Sequence, residues 1–206
     1  MPVSGALLPA EVSKVTCPRC RFPARMVPLA ALTFRCSRCE WDFALAAPAV
    51  ASPAVPLTTV AAANSTGTVV NVTISAGTLT SVAVNGVQAG TTAGTYLVPV
   101  AGTISITYSV APTWAWALPV TSASVAAGGQ ALTFAPTGTN VAFSTEQLLI
   151  VDPAGTSDVV KVTAGATATS VPVGSLNSAH NSGVSVAVAV LSPLLSAVEA
   201  VPATAY

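Results

Sequence analysis

The sequence predicts a mainly β protein, in which a small four-cysteine segment precedes two small antiparallel β-sandwich or barrel modules. Three observations predict this fold class. All four cysteines lie in two Cys-x-x-Cys pairs near the beginning of the chain. From Leu57 onwards, apolar side chains recur at every second position in short runs, which is the period of a half-buried strand. Glycine and proline turns separate these runs at close spacing, as in small all-β folds.

These patterns divide the chain into five parts. They are an N-terminal arm (1–13), the four-cysteine segment (14–43), an Ala/Pro linker (44–56), a first β module (57–119) and a second β module with an apolar C-terminal tail (120–206). The arm has no clear periodicity, and we expect it to be ordered only on a partner. The uncharged linker contains three prolines, which predicts a semi-extended tether that leaves the four-cysteine segment as a separate body. The tail, from Leu194 to Tyr206, is too apolar for a solvated segment, so we expect it to dock.

Two Cys-x-x-Cys pairs with fifteen residues between them predict a zinc site. The four expected ligands are Cys17, Cys20, Cys36 and Cys39. Each pair can direct two thiolates at one point, and Zn²⁺ prefers four such ligands in a tetrahedron. A pair of disulfides and a thioredoxin-like redox motif are the alternatives. The redox motif would require an α/β unit, which this region does not suggest, and we see no secretory signal that would argue for an oxidising compartment.

The predicted Zn²⁺ is structural, because the protein fills all four positions and leaves none for water or substrate. A segment of this size buries too little apolar surface to fold alone, and structural zinc contributes roughly 10–16 kcal/mol of apparent binding energy to such units. The small core expected between the pairs consists of Phe22, Met26, Val27, Leu29, Leu32 and Phe34. Trp41 and Phe43 alternate with acidic residues, as in a covering strand. The segment resembles a zinc ribbon, which is a family of folds and does not define a function.

The basic residues near the cysteines raise the possibility of nucleic-acid binding. The arginines concerned are Arg19, Arg21, Arg25, Arg35 and Arg38. Residues 1–45 carry six basic and three acidic side chains, and four thiolates with one Zn²⁺ contribute two further negative charges, which leaves about plus one. That is a weak electrostatic attraction for a phosphate backbone. We therefore expect these arginines to contact the cysteine turns or a protein partner, and we expect no nucleic acid as partner.

The composition points to an assembly component. Only 7% of the residues are charged, against about 25% in an average soluble domain, and the formal net charge is zero. A membrane span is not predicted, since the most apolar run, Val184 to Val198, is fifteen residues long and falls short of the ~20 required. A chain with so few charges has little to keep it apart from its neighbours. We therefore expect other subunits, including copies of itself, to cover much of its surface.

The first β module is predicted from alternation and turn signals. Strands are expected at Thr68 to Ser75, Leu79 to Val84, Tyr96 to Val98 and Ile104 to Val110. Asn85-Gly86 is a strong signal for a type I′ hairpin turn. Trp114, Trp116 and Leu118 share one face at the end of the module, and packing in the core or at its rim is favoured over a ligand platform, which would need more polar partners.

The second β module follows the same logic. Strands are expected at Leu148 to Val151, Asp158 to Thr163, Thr167 to Val173 and Val184 to Val190. Asp152 precedes a proline and is interpreted as a turn former. His180, the only histidine, lies in a predicted helical turn or loop from Asn177 to Asn181.

No catalytic site is predicted. On residue type alone, His180 could join Ser178 or Ser182 and Asp152 or Asp158 in a Ser/His/Asp arrangement. The sequence around these serines lacks a strained nucleophile elbow and a Gly-rich oxyanion loop. A histidine between asparagines is better explained as a hydrogen-bonded turn residue. Since the motifs for phosphate binding, EF-hand calcium binding and HExxH zinc hydrolysis are also absent from the sequence, we predict that the protein is not an enzyme.

Two stretches resemble elements of tailed-bacteriophage virion proteins. In the second module the residues that carry the resemblance are Leu149 to Pro153, Gly155-Thr156, Asp158 to Val160, Val162-Thr163, Val171, Leu176, Ala179-His180 and Gly183. They resemble a β element that recurs in these structural proteins, where Glu usually stands in place of Asp158. In the first module Thr78 to Gly86, Gly94 to Tyr96, Gly102 to Ile104 and Ala111 to Trp114 are similar to small sandwich modules of phage head proteins.

This resemblance implies a minor capsid or decoration protein that binds the head shell and stabilises it. The implied partners are the major capsid protein and copies of the chain itself, and the implied location is the capsid surface of a virion assembled in the host cytoplasm. The alternative is a tail or baseplate component, such as an adhesin. An exposed aromatic and polar groove around Trp114 and Trp116 would favour that alternative. A third hypothesis, ranked below both, is a zinc-ribbon regulator that binds nucleic acid.

Overall fold

The computed structural model describes Cys17 and residues 19–21, 26–30, 32–139 and 141–193. The predicted arm and apolar tail lie outside these residues. The sixteen strands of the described part are β1 (Met26–Ala30), β2 (Thr33–Cys36), β3 (Asp42–Ala46), β4 (Ala61–Ala63), β5 (Val70–Ser75), β6 (Thr78–Val84), β7 (Val87–Gly90), β8 (Gly94–Val98), β9 (Thr103–Val110), β10 (Thr113–Ala117), β11 (Ala131–Thr133), β12 (Leu148–Val151), β13 (Asp158–Lys161), β14 (Ser170–Pro172), β15 (Val186–Val188) and β16 (Val190–Pro193). The prediction of a mainly β fold is confirmed. None of the described residues forms a helix that could cross a membrane.

The chain divides into two compact units. The cysteine unit consists of Met1–Ala46 and Leu191–Tyr206, and the β unit is Ala47–Val190. In the cysteine unit, β1, β2, β3 and β16 form one sheet in that order. Phe43 and Leu45 alternate with half-buried residues along β3 and are buried to 1% and 3% exposure. The strand expected after the last cysteine is therefore present.

The first half of the β unit is a sandwich of two sheets. One sheet has the order β10-β5-β8, and the other has the order β4-β9-β6-β7. Alternate residues of β5 point inward because the side-chain period of a strand is two. The core between the sheets contains Val70, Val72, Ile74, Val82, Val84, Tyr96, Val98, Ile104, Ile106 and Trp116. Asn85 and Gly86 have φ angles of 52° and 75° in the turn between β6 and β7, which confirms the predicted hairpin and its type I′ turn.

The second half packs directly on the first. It contains a three-stranded sheet of order β13-β12-β15 and the pair β11-β14. Its core includes Val69 and Leu97 from the first half, together with the stacked rings of Phe134 and Phe143. Tyr96 and Val98 of β8 face one core while Leu97 faces the other, so β8 is buried on both faces. The two predicted modules therefore form one unit, and the boundary expected between residues 119 and 120 does not separate compact bodies.

Two other predicted boundaries also differ from the structure. Residues 44–46 of the expected linker belong to β3, and residues 50–56 pack on the sandwich, where Val50 contacts its core and the Trp114 indole donates a hydrogen bond to the Pro53 carbonyl. The predicted last strand, Val184 to Val190, is divided between β15 and β16, and Leu191 to Pro193 of β16 belong to the cysteine unit. Alternation along the sequence indicates a strand, but it does not identify the sheet that the strand joins.

Candidate metal centre

Two turns of the same shape carry the four cysteines. In the first turn the Arg21 N–H donates to the Cys17 carbonyl (2.8 Å), and in the second the Glu40 N–H donates to the Cys36 carbonyl (2.9 Å). Arg21 and Glu40 have φ angles of 56° and 55°, so the residue that follows each Cys-x-x-Cys pair has the same left-handed backbone conformation. The repeated geometry directs two sulfurs from each turn towards a common point.

A β-hairpin holds the second turn in place. Strand β2 ends at Cys36, and β3 begins at Asp42 and pairs with β2 in antiparallel register. The Cys36 N–H donates to the Trp41 carbonyl (2.9 Å), which closes the hairpin at the point where the turn begins. The backbone hydrogen bonds between β2 and β3 therefore hold Cys36 in position at the end of the hairpin.

The four sulfur atoms lie close enough to bind one metal ion. The Sγ atoms of Cys17 and Cys39 are 3.6 Å apart, and those of Cys20 and Cys36 are 3.9 Å apart. All four Sγ atoms lie within 4.8 Å of one another. A tetrahedron with metal–sulfur bonds of ~2.3 Å has edges of about 3.8 Å, so both measured separations match a single tetrahedral ion. The predicted clustering of Cys17, Cys20, Cys36 and Cys39 is confirmed.

The site is half enclosed and its thiols differ in acidity. Cys17 and Cys36 are buried, whereas Cys20 and Cys39 are half-buried. Burial would raise the pKa of Cys36, but hydrogen bonds from the backbone of Cys39 and Arg38 and from neighbouring thiols lower that pKa to about 7. A backbone hydrogen bond from Trp41 lowers the pKa of Cys39, but burial and the nearby sulfurs outweigh it and raise that pKa to about 11. Four thiolates cannot gather here without a cation to balance their charge.

Two arginines near the cysteines bind residues of the same hairpin. The Arg19 guanidinium carbon lies 3.4 Å from the centre of the Trp41 ring, a cation–π contact that joins the first turn to the residue after the second. Arg35 forms a two-point salt bridge with Asp42, its directly paired residue, at 2.7 and 2.9 Å. That hydrogen-bonded pairing lowers the pKa of the Asp42 carboxyl and raises the pKa of Arg35. The sequence suggested a role for these arginines near the turns but did not identify Trp41 or Asp42 as their partners.

The residues of the rejected Ser/His/Asp arrangement form a buried polar pair. His180 Nε2 lies 3.0 Å from Asp158 Oδ2, and the Ser178 backbone N–H donates to the same oxygen at 2.8 Å. His180 Nδ1 is buried without a hydrogen-bond partner, so no serine hydroxyl of the described residues is bonded to the imidazole. The interpretation of His180 as a hydrogen-bonded loop residue is confirmed. Asp152 closes a turn through its carbonyl, which accepts from Gly155 and Ser157, as predicted.

The two tryptophans of β10 pack against each other and against the chain. Their ring centroids are 5.6 Å apart at an angle of 73°. Trp116 is 6% exposed and belongs to the sandwich core, and Trp114 packs partly buried against the same core. The prediction of core or rim packing is confirmed for this pair.

No family model matches the chain, and no significant match was found among curated proteins or among solved structures. Function therefore has to be inferred from the residues described above.

Proposed function

We propose that this protein is a minor capsid or decoration protein of a tailed-bacteriophage virion, which binds the head shell in many copies and stabilises it. The observation that carries the proposal is the near absence of charge from the β unit. Between Ala47 and Val190 only Glu146, Asp152, Asp158 and Lys161 are charged, and Asp158 is buried. Lys161 pairs with Glu146 at 3.1 Å, which further reduces the charge that the surface presents.

The exposed apolar side chains support the same role. They are Leu57 (78% exposed), Val87 (70%), Val110 (58%), Val141 (53%), Val60 (50%) and Val120 (43%). A surface that is both apolar and uncharged promotes association, whereas proteins that remain monomeric usually carry a net charge and interspersed charged residues. In a shell such a surface would be covered by the major capsid protein and by further copies of this chain. Its contribution would be buried interface across the joints between shell subunits.

We propose that the metal is Zn²⁺ and that its role is structural. Four cysteine thiolates in a tetrahedral set are typical of structural zinc. They fill all four coordination positions of the ion, whereas a catalytic zinc site keeps one position open for water or substrate. Bound zinc would offset half of the negative charge of the four thiolates and fix the two turns, and the cysteine unit would then serve as an anchor on the shell. Metal analysis of the purified protein should find one equivalent of zinc for each chain, and an equivalent of iron instead would contradict the assignment.

We also propose that the protein has no catalytic role. The best-organised polar group of the β unit, Asp158 with His180, is 3% exposed at both residues and pairs internally. A buried pair that uses its hydrogen bonds within the fold is suited to stabilising a loop, because catalysis requires groups that can meet a substrate.

Two alternatives are less well supported. An adhesin that binds through Trp114 and Trp116 would need an open aromatic groove, but the Trp114 indole N–H bonds to Pro53 and Trp116 is 6% exposed. A regulator that binds nucleic acid would need free arginines, but Arg19 stacks on Trp41 and Arg35 pairs with Asp42. Both observations weaken these alternatives relative to the capsid role.

The test is the copy number of this chain relative to the major shell protein in purified virions, measured by quantitative mass spectrometry. A copy number comparable with that of the shell protein is the expected result. A handful of copies would move the protein to a tail or a vertex, and its absence from virions would overturn the proposal. Salt-sensitive DNA binding by the purified chain would instead favour the regulator.

A further inference from the structure

The four cysteines are arranged so that they can react with an oxidant as well as bind a metal. All four are free thiols. The Sγ atoms of Cys17 and Cys39 are 3.6 Å apart, and those of Cys20 and Cys36 are 3.9 Å apart. Each of these two pairs, here called the cross-turn pairs, takes one cysteine from each turn. A disulfide bond is about 2.05 Å long, so each pair would become covalent after an approach of less than about 2 Å.

Burial gives the two members of each cross-turn pair different roles. Cys20 and Cys39 are half-buried, so a small oxidant can reach their sulfur atoms from solvent. Cys17 and Cys36 are buried at 0% exposure. Oxidation of a cysteine depends on its exposure, and a redox-active cysteine often has a resolving cysteine beside it. Each cross-turn pair therefore combines an accessible sulfur that can react first with a buried sulfur that can close the disulfide.

Other contacts hold the two turns next to each other. The guanidinium of Arg19, in the first turn, lies 3.4 Å from the centre of the Trp41 ring. The Cys36 N–H, at the start of the second turn, donates to the Trp41 carbonyl at 2.9 Å. Both turns therefore contact Trp41, which would keep their sulfurs adjacent while a metal ion leaves.

The cross-turn pairs also offer the larger gain in stability. Their members are 22 and 16 residues apart in sequence. A disulfide that closes a longer loop removes more conformational entropy from the unfolded chain. A disulfide within one Cys-x-x-Cys turn would close a much shorter loop and would leave the two turns unlinked.

We propose that the four cysteines are also a modification site, which a peroxide converts into two disulfides, Cys17–Cys39 and Cys20–Cys36, with release of the metal. In each pair the accessible thiolate attacks one peroxide oxygen. The O–O bond breaks, a sulfenic acid forms, and hydroxide takes up a proton and leaves as water. The buried thiolate then attacks the sulfenic sulfur, the S–S bond forms, and the S–O bond breaks to release a second hydroxide, which also becomes water.

The electrons of this reaction balance within each pair. Two thiolates lose two electrons, and these electrons reduce one peroxide to two waters. The two disulfides together consume two peroxides and four protons. Zn²⁺ leaves unchanged because all four of its thiolate ligands have been lost. The release of metal rests on the proposed zinc site, whereas the disulfide pairing rests on the cysteines alone.

The disulfides would take over the structural task of the metal. They would join the two turns covalently, so the oxidised cysteine unit would no longer depend on a cation. Thiols stay reduced in the cytoplasm, whereas disulfides persist outside cells. In the proposed virion role the particle passes from the first environment to the second, and the zinc-dependent unit would become crosslinked there.

Peroxide treatment of the full-length protein tests the modification site. The protein is purified under reducing conditions, its zinc content is measured, and hydrogen peroxide is added. The expected result is the loss of all four free thiols and the release of one zinc equivalent, measured with a thiol reagent and a chromogenic chelator. Trypsin digestion in urea without reductant then identifies the pairing by mass spectrometry, because an arginine, Arg19 or Arg38, lies between the two cysteines of each turn.

The matched control is the same oxidation of the metal-free chain unfolded in urea. In the unfolded chain the short loop within each Cys-x-x-Cys pair closes at the lower entropic cost, so disulfides within the turns should predominate. The folded protein should instead yield the two cross-turn disulfides. As a second readout, β2 and β3 of the oxidised protein should keep their protection from hydrogen exchange when a strong chelator is present.

The pairing found in the folded protein decides the proposal. Disulfides within the turns would overturn it, as would sulfinic acids or disulfide-linked dimers in place of two internal disulfides. Zinc-loaded protein whose thiols resist peroxide would overturn the modification site and keep the zinc assignment. Folded protein that holds no zinc but still forms the cross-turn disulfides would support the modification site and contradict the zinc assignment.

Discussion

At the scale of single residues, the shifted pKa values of Cys36 and Cys39 make metal binding dependent on pH. A bound metal displaces the protons of its thiol ligands, so affinity rises as pH rises. The pKa of Cys36 is about 7 and that of Cys39 is about 11. Above pH 7 Cys36 is already a thiolate, and Cys39 still has to release its proton up to about pH 11.

We therefore expect the dissociation constant for the metal to fall by at least about tenfold for each pH unit above neutrality, because Cys39 releases a proton on binding throughout this range, and more steeply below it, where Cys36 also releases a proton. Competition with a chromogenic chelator between about pH 6 and about pH 9 measures the slope. Ser37→Ala, a change at an exposed residue within the second turn, is the control and should give the same slope. An affinity that is independent of pH in this range would contradict the prediction.

A second residue-scale feature is the buried oxygen that Asp158 shares between two donors. The Ser178 N–H donates to Asp158 Oδ2, and the same oxygen pairs with His180 Nε2. A proton on Nε2 accounts for this bond, and His180 Nδ1 is buried without a hydrogen-bond partner. Asp158 therefore joins β13 to the loop that carries the histidine.

We expect Asp158→Ala to lower the free energy of unfolding of the β unit by about 2–4 kcal/mol, because two buried donors lose their acceptor. Asp158→Asn keeps one oxygen of similar shape and should cost clearly less. Urea unfolding followed by far-ultraviolet circular dichroism measures both losses. Equal losses for the two variants would show that the site requires the carboxylate itself, because Asp158→Asn keeps the shape and one oxygen acceptor.

At the scale of strands, Gly94 marks the contact between the two halves of the β unit. It begins β8, its φ is 156°, and a Cβ atom placed there would overlap the Thr137 side chain. Thr137 exchanges hydrogen bonds with Thr95, accepting at 2.9 Å through its hydroxyl and donating at 2.7 Å through its N–H. A side chain at position 94 would push the halves apart at this point.

We expect Gly94→Ala to destabilise the β unit by about 1–3 kcal/mol, since overpacking at a close contact carries a cost of this size. The matched control is Gly165→Ala, because a Cβ atom at position 165 would meet nothing within 4 Å. Thermal unfolding of the two variants measures the difference. A control that loses as much stability as Gly94→Ala would show that the contact with Thr137 is not the cause.

Local sequence patterns were sufficient to predict individual strands and turns. The alternation in β5, the Asn85-Gly86 hairpin and the cysteine turns each depend on neighbours in sequence, where dihedral preferences and side-chain period act directly. The patterns could not predict the pairing of β5 with both β8 and β10 or the use of β8 by two cores. Those contacts join distant parts of the chain. The local sequence around Leu97 does not show that it packs in the second core, and the sequence around Thr137 does not show that it contacts Gly94 and Thr95.

The linker shows the same limit most clearly. Residues 47–56 belong to no strand, whereas residues 44–46 are part of β3, and the contacts of the segment depend on Tyr108 and Trp114, more than fifty residues away in sequence. At the metal centre the ligands follow from spacing alone, whereas the contacts of Arg19 with Trp41 and of Arg35 with Asp42 require the hairpin register. Spacing identifies ligands, and only the folded register identifies the residues that surround them.

At the scale of the whole molecule, the two compact units differ in what stabilises them. The β unit has two apolar cores, with residues such as Val72, Leu97 and Leu149 at 1% exposure or less. In the cysteine unit the described buried residues are Cys17, Cys36, Phe43 and Leu45, two of which are proposed metal ligands. Small units built around a structural metal site depend on the bound ion for folding, and on the proposed zinc site the cysteine unit would depend on its metal in the same way.

We therefore expect chelation of the metal to unfold the cysteine unit and to leave the β unit folded. Hydrogen exchange measured by mass spectrometry should show loss of protection in β2 and β3 after treatment with a strong chelator, while β5, β8 and β12 keep theirs. Cys36→Ser should reproduce this pattern without chelator, and Ser37→Ala should not. If protection falls equally in both units, the β unit does not fold independently of the metal. Retention of a Cys36→Ser protein on virions would separately argue against the cysteine unit as the anchor.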